Sequence, residues 1–304
     1  MRIASLVPSA TEYLFALGLG DSVVAVTHEC DYPDAVFDLP QITRSVIPEG
    51  LEAAEVDAAV REHTNKGDAL YVLDEALLAE EEPDLIITQE LCEVCAVSVK
   101  DVRAAAKRLP SKPDIITLDP TTLGEVLADI RTICAATDSM EAGVELLRGL
   151  ADRVDDVKIA LRTVGKLDGP PRPKVVALEW LDPVFLGGHW VPQMIEIAGG
   201  IDFLGLPGER SLQLSWDEVV ATEPDVVVLM QCGYSAMQAA EEAERYGEQL
   251  AQLGAARIFA CDAMAYFSRP GPRLIDGLEQ LAHALHPTLV PESDSGRFAE
   301  VELD

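Results

Sequence analysis

The sequence predicts an α/β protein of two lobes joined by a long helix, and three observations carry that reading. Short apolar strands alternate with helical stretches over residues 3–118 and again over residues 175–285. Between them, residues 123–164 repeat apolar side chains at helical spacing, with no strand and no proline. Finally, Glu82-Pro83-Asp84-Leu85-Ile86-Ile87-Thr88 recurs as Glu223-Pro224-Asp225-Val226-Val227-Val228-Leu229, each copy closing an acidic helix and opening a buried strand. The expected organisation is an N-terminal lobe over 1–120, a connecting helix over 121–165 and a C-terminal lobe over 166–304.

The elements follow in order. A strand at 3–7 ends at Pro8-Ser9, and Ser9 or Thr11 is expected to cap a helix to about Leu17, stopped by Gly18 and Gly20. Strands follow at 23–26, 85–88 and 115–118, the last two each preceded by Pro-Asp, with a helix at 97–109. As one helix, residues 123–164 would reach about 60 Å at 1.5 Å per residue, the length of a strut between lobes, with Thr137-Asp138-Ser139 the place for a kink. Residues 165–173, rich in Gly and Pro, read as a linker. Alternation then resumes with strands at 175–178, 226–230 and 258–261 and helices at 191–198, 236–253 and 274–285. The acidic tail beyond Pro291 is expected to be loose.

Composition narrows the function. A chain of 304 residues, 48% hydrophobic, is long enough for two cores. The net charge of −30, from 53 acidic and 23 basic side chains, repels phosphate backbones and anionic lipid, so neither nucleic acid nor a membrane surface is an expected partner. Two readings of the acidity stand: a highly solvated surface, or acidic patches that meet a basic partner. Arg2 and a short apolar run do not make a secretory leader, and no stretch approaches the roughly 20 apolar residues of a membrane span. The expected location is therefore cytoplasmic, with an extracytoplasmic one the alternative if a leader has been removed. Six cysteines in a chain this large need no disulfide framework.

No phosphate loop, nucleophile elbow, zinc-protease or dinucleotide fingerprint is present, so no catalytic residue, cofactor or resident metal is expected. Cys92-Glu93-Val94-Cys95 follows the strand at 85–88, and His28 and Cys30 follow the neighbouring one. In a parallel sheet both loops emerge at one edge. The CxxC therefore reads either as two small packing residues or as part of a cytosolic metal- or redox-linked site with Cys30 and His28. The few aromatics gather at strand ends: Tyr32, Trp180, Trp190, Tyr266 and Phe267. Core packing explains any one of them; as a set at the edge where open α/β sheets bind ligands, they read as a flat apolar lining.

Ser5-Leu6-Val7-Pro8-Ser9-Ala10-Thr11-Glu12 with Asp31-Tyr32-Pro33 resembles the opening of the cobalamin-binding proteins of ABC importers. These are class III substrate-binding proteins, a group that includes haem and siderophore binders. The resemblance continues through Pro183-Val184-Phe185, Gly187-Gly188, Ala198-Gly199-Gly200 and Trp216-Asp217-Glu218-Val219 to Phe267-Ser268-Arg269-Pro270-Gly271-Pro272-Arg273. Two departures are the long segment 46–72 and the stretch Thr88 through Cys95, which resembles a subgroup without obvious export signals. The resemblance implies two Rossmann-like lobes joined by a long helix. It also implies non-catalytic capture of a cobalamin-like corrinoid between the lobes, by a monomer that serves an ABC permease or an intracellular carrier role. The macrocycle would lie against Tyr32, Trp180, Trp190, Tyr266 and Phe267, with Ser9, Glu90, His189 and Arg269 meeting its amides. In related importers one acidic residue on each lobe meets the permease, and the matching positions are Asp74 or Glu75 and Asp217 or Glu218. The same carboxylates are also what an ordinary helix N-terminus favours.

Overall fold

The computed structural model describes residues 1–48, 50–51, 53–66, 68–89 and 97–303. The chain forms two compact units, Met1–Pro120 with Gly124–Arg148, and Thr121–Leu123 with Gly149–Asp304. Among the described residues no helix is long and apolar enough to cross a membrane.

The first unit runs β1 (Ile3–Ser5), α1 (Pro8–Ala16), β2 (Val23–Val26), β3 (Thr43–Ser45), α2 (Ala53–Lys66), β4 (Tyr71–Leu73), α3 (Glu75–Glu80), β5 (Leu85–Thr88), α4 (Val99–Arg108), β6 (Asp114–Thr117) and α5 (Leu123–Thr137). Four parallel strands lie in the order β2-β1-β5-β6. Ala4, Leu6, Ile86, Val102 and Ala106 pack in its core. The long segment after residue 45 contains α2 and returns as β4, paired antiparallel with β3. Neither Ser9 nor Thr11 caps α1, as the sequence had suggested. The helix starts at Pro8, with Val7 the extended residue before it. Proline suits that position because its missing N–H would have had no helical partner. The Thr11 hydroxyl instead donates to Ser5 Oγ at 2.8 Å.

The single helix expected over residues 123–164 is two, α5 and α6 (Met140–Ala160). Asp138 between them has φ +54°, a left-handed conformation that ends a helix. Thr137 Oγ1 donates to the Ile133 carbonyl at 2.8 Å and pairs with Ser139 Oγ at 2.7 Å. Short polar side chains thus compete for the backbone where the helix would have continued. Gly143 sits so close to the Cys134 side chain that a Cβ would overlap its sulfur.

The second unit contains β7 (Val175–Leu181), β8 (Val184–Leu186), α7 (Val191–Ile197), α8 (Trp216–Val220), β9 (Val226–Leu229), α9 (Ala236–Arg245), α10 (Gly247–Gln252), β10 (Arg257–Ala260), α11 (Ala263–Tyr266), α12 (Leu274–Leu285) and β11 (Ala299–Glu300). Its sheet has the order β11-β10-β9-β7-β8. The inner strands β7, β9 and β10 are parallel, and β8 and β11 close the edges antiparallel. The expected helix over 236–253 divides at Tyr246. The C-terminal tail is not loose: β11 pairs with β10, and Phe298 is buried edge-on against Phe259 and Phe267.

The repeated Pro-Asp has the same job in both units. Asp84 Oδ2 accepts the Arg2 backbone N–H at 2.7 Å, and Asp225 Oδ2 accepts that of Lys174, also at 2.7 Å. The residues two places earlier, Glu82 and Glu223, both turn left-handed, with φ 42° and 47°. Each aspartate therefore clamps the start of the adjacent parallel strand.

Candidate functional site

The C-terminal ends of the parallel strands position the polar and aromatic side chains of each unit. In the first unit several of them bond to one another, while the Thr88 hydroxyl at the end of β5 is buried with no partner among the described residues. Cys30 is buried, its sulfur 3.1 Å from Thr11 Oγ1. His28 Nδ1 hydrogen-bonds Thr43 Oγ1 at 2.7 Å, and Thr43 pairs with Thr27 at 2.8 Å. The imidazole lies beside the Tyr71 ring, and burial lowers its pKa. Tyr71 donates to Glu29 at 2.8 Å. Ser9 is buried in α1, while Tyr32 is 47% exposed. Glu90, Cys92 and Cys95 lie outside the described residues. Among those described, no cluster of three His, Cys, Asp or Glu side chains is arranged to hold a metal. The two proposed partners of the CxxC, His28 and Cys30, are engaged with threonine hydroxyls.

The second unit is built differently. Trp180, near the end of β7, is half-buried; its indole N–H donates to the Asp182 carbonyl at 3.1 Å, and its ring meets Tyr234 edge-on at 5.6 Å. Tyr234 follows β9, and its carbonyl accepts the Met264 N–H at 3.1 Å, which ties this loop to α11 and so to Tyr266. The Tyr266 hydroxyl donates to the Ser295 carbonyl at 3.3 Å, and Arg273 lies over its ring. Arg269 is half-buried two residues after Phe267.

His189 follows β8 with φ +54°, its N–H donating to the Glu209 carbonyl at 2.6 Å. Burial and then nearby Arg210 lower its pKa, so the ring is neutral at pH 7. Gly188 beside it touches the backbone of residues 209–211, with the Glu209 carbonyl oxygen 2.8 Å from where a Cβ would stand. Only glycine lets the two chains approach this closely.

Trp190 and Phe267 depart from the expected lining. They are 5% and 3% exposed, and the Trp190 indole N–H is spent on the Phe267 carbonyl at 2.9 Å. They hold the loop after β10 against α7 rather than offering flat faces, because a buried indole must place its N–H on a partner.

Three acids and amides escaped the motif search. Glu179 on β7 is bonded to Ser211 Oγ and the Gly188 N–H, yet burial raises its pKa. Gln231, fully buried after β9, gives its amide N–H to Glu242 at 3.2 Å while its carbonyl oxygen has no partner among the described residues. Glu242 is itself buried, which raises its pKa. A signal existed for Glu179: a carboxylate ending the apolar run Val-Val-Ala-Leu is costly unless something binds it.

The acidic helix starts are partly committed. Asp74 caps α3 by accepting the Leu77 N–H at 2.9 Å, and Glu75 pairs with Arg108 at 2.6 Å. Glu218 completes a capping box with Ser215, which lowers its pKa. Asp217 is exposed with no ion-pair partner among the described residues.

The periplasmic binding protein family matches the chain over residues 3–257. A vitamin B12-binding protein of Vibrio cholerae is 25% identical over 283 residues, covering 92% of this chain and 87% of the relative. An uncharacterized ABC transporter substrate-binding lipoprotein of Bacillus subtilis, YvrC, is 24% identical over 295 residues, 96% of this chain and 82% of its own length. Among solved structures, the periplasmic vitamin B12-binding protein BtuF of Vibrio cholerae superposes with a TM-score of 0.66 at 20% identity, covering 93% of this chain and 96% of that one. A periplasmic heme-binding protein of Pseudomonas aeruginosa gives 0.69 at 18% identity, covering 99% and 98%. The architecture is that of the class III substrate-binding proteins.

Proposed function

The chain belongs to the periplasmic binding protein family, and from that premise we propose that it captures a cobalamin-like corrinoid without transforming it. The observation that supports this most is the set at the strand ends of the second unit. The half-buried Trp180, edge-on to Tyr234, offers apolar surface in the same unit as the part-buried Tyr266, Arg269 and neutral His189. Aromatic faces suit a macrocycle, and donors around them suit its peripheral amides. The corrinoid is cargo rather than a cofactor, since no step of chemistry is assigned to any residue.

The vitamin B12-binding relatives support a corrinoid. The heme-binding neighbours favour haem as the second reading, and neutral His189 is the group that would make haem a competent ligand. Calorimetric titration with cobalamin, cobinamide and haem separates them. A one-to-one isotherm with either corrinoid, and a weaker one with haem, is the expected result. Absence of any corrinoid isotherm at high micromolar concentration would remove the proposal. Delivery to an ABC permease is part of the same proposal. Fractionation of native cells tests where the protein meets its ligand.

A further inference from the structure

A cavity of about 330 Å³ lies in the second unit, between β10, the end of α12 and the C-terminal segment. Arg257, the first residue of β10, and Phe259 form one wall. His283 and Pro287 at the end of α12 form another, and Arg297 and Glu300 of the C-terminal segment complete it. Because β7, β9 and β10 are parallel, the start of β10 lies away from the strand ends that carry Trp180, Tyr234 and the loop to Tyr266.

The cavity brings two arginines together with one carboxylate, Glu300, in a chain whose net charge is −30. The Arg257 guanidinium is held rigidly: Nε donates to Glu300 at 3.0 Å, one terminal nitrogen to the Ala284 carbonyl at 2.9 Å, and the group lies 4.4 Å over the Phe259 ring. A longer bond of 3.5 Å joins its other terminal nitrogen to Glu300. A guanidinium carries five N–H donors, so these three bonds leave two over. Arg297 meets Glu292 only at 3.8 Å, too long for a hydrogen bond. His283 spends Nδ1 on the Val290 carbonyl at 2.9 Å, leaving Nε2. Spare donors on two arginines thus line one cavity with a histidine, beside an aromatic floor and a single carboxylate.

We infer that this cavity is a second ligand site, for a small doubly charged oxyanion such as a dicarboxylate or a phosphate ester. Arg257 and Arg297 bind its charged groups, as guanidinium forks do. Glu300 already occupies part of the Arg257 fork and competes with the ligand. Since Arg257, Phe298 and Glu300 also pin β11 to β10, the ligand bridges the C-terminal segment to the sheet. The protein's overall field opposes any anion, so binding here requires the local donors rather than general attraction.

Thermal unfolding of the full chain, with inorganic phosphate or succinate added against a sodium chloride control of equal ionic strength, tests this. The expected result is a saturable rise in Tm in the millimolar range with at least one probe. Arg297, exposed and loosely paired, is the variant least able to disturb folding; Arg297→Ala should weaken that probe about tenfold or more. Glu300→Gln should tighten it severalfold by removing the competing charge. Response to phosphate alone or succinate alone identifies the source of the anion and supports the site. No saturable shift with either probe, an unchanged affinity in Arg297→Ala, or weaker binding in Glu300→Gln each overturns it.

Discussion

The two units start their central strands with the same device and finish them differently. Asp84 and Asp225 each clamp a neighbouring strand at 2.7 Å, after left-handed glutamates two residues earlier. At the opposite ends the resemblance stops. In the first unit Ser5, Thr11, Cys30, Thr27, Thr43 and His28 bond to one another. In the second, Glu179, Gln231 and Glu242 are held in surroundings that penalise their charge or leave an oxygen unmatched, beside the half-buried Trp180. Scaffold chemistry is repeated, whereas the strand ends carry different aromatic pairs, His28 with Tyr71 in the first unit and Trp180 with Tyr234 in the second. Each unit keeps a buried oxygen there that is unmatched among the described residues, Thr88 Oγ1 and Gln231 Oε1. The comparison can be broken or sharpened at four places.

The largest effect is expected at Gly188. A Cβ there must displace the backbone of residues 209–211, which cannot yield as a flexible side chain would. Gly188→Ala should cost about 2–3 kcal/mol of stability, the range for forced overpacking. It should also lower ligand affinity by moving His189. Chemical denaturation paired with titration checks both. A wild-type melting curve would show that the two chains are not locked.

Next come the aromatics. Trp180→Ala should weaken corrinoid binding by about 1–3 kcal/mol, the usual value of a lost aromatic contact. Tyr32→Ala in the first unit, at a side chain 47% exposed, should cost less. Equal losses would mean that recognition is shared evenly between the units. Phe267→Leu should act on stability rather than affinity, because that ring packs against Phe298.

The first unit has its own strained carboxyl, set on a helix instead of a strand end. Burial, then Asp119 and Glu125, push the Asp129 pKa up to about 7, and its Oδ2 has no hydrogen-bond partner among the described residues. The unfolded chain releases that proton near the ordinary 3.8. Between these values the folded protein binds more protons, so stability declines as pH rises through the interval and the full penalty stands above about pH 7. Asp129→Asn removes the penalty. The variant should match the wild type near pH 4 and exceed it by about 1–2 kcal/mol near pH 8, after allowing for partial solvent screening. Parallel pH profiles would show that Asp129 does not hold its proton.

Much of this was legible in the sequence, for reasons that also explain what was not. Strands at 85–88 and 226–229 were visible because a Pro-Asp boundary and an unbroken apolar run are local signals. Helix α12 was readable in full from its amphipathic period. The break at Asp138 was only marked as a kink, since whether three polar residues bend or end a helix depends on what packs around them. The tail looked loose because its anchors, Phe298 on Phe259 and Glu300 on Arg257, are contacts across more than 35 residues of sequence. The same limit applied to the site. Aromatics at strand ends could be found, but which face ligand depended on where an indole N–H is spent: Trp190 gives its own to Phe267 77 residues away, and Trp180 to Asp182 two residues away.

The smallest expected effect returns to the shared junction. If Asp84 and Asp225 do the same work, replacing either with Ala should cost about the same, roughly 1 kcal/mol, the net value of one hydrogen bond made partly in solvent. Replacement with Asn should cost less, because an amide oxygen can still accept the Arg2 or Lys174 N–H at the same position. The double Ala variant should lose the sum of the two, since the clamps sit in different units and share no partner. Denaturant midpoints for the four single variants and the double decide the matter. A clear excess at Asp225 would mean that its clamp, which begins the central strand of a five-stranded sheet, carries more than its counterpart in a sheet of four. A double variant that loses less than the sum would mean that the two junctions are energetically coupled, each replacement already removing part of what the other supports.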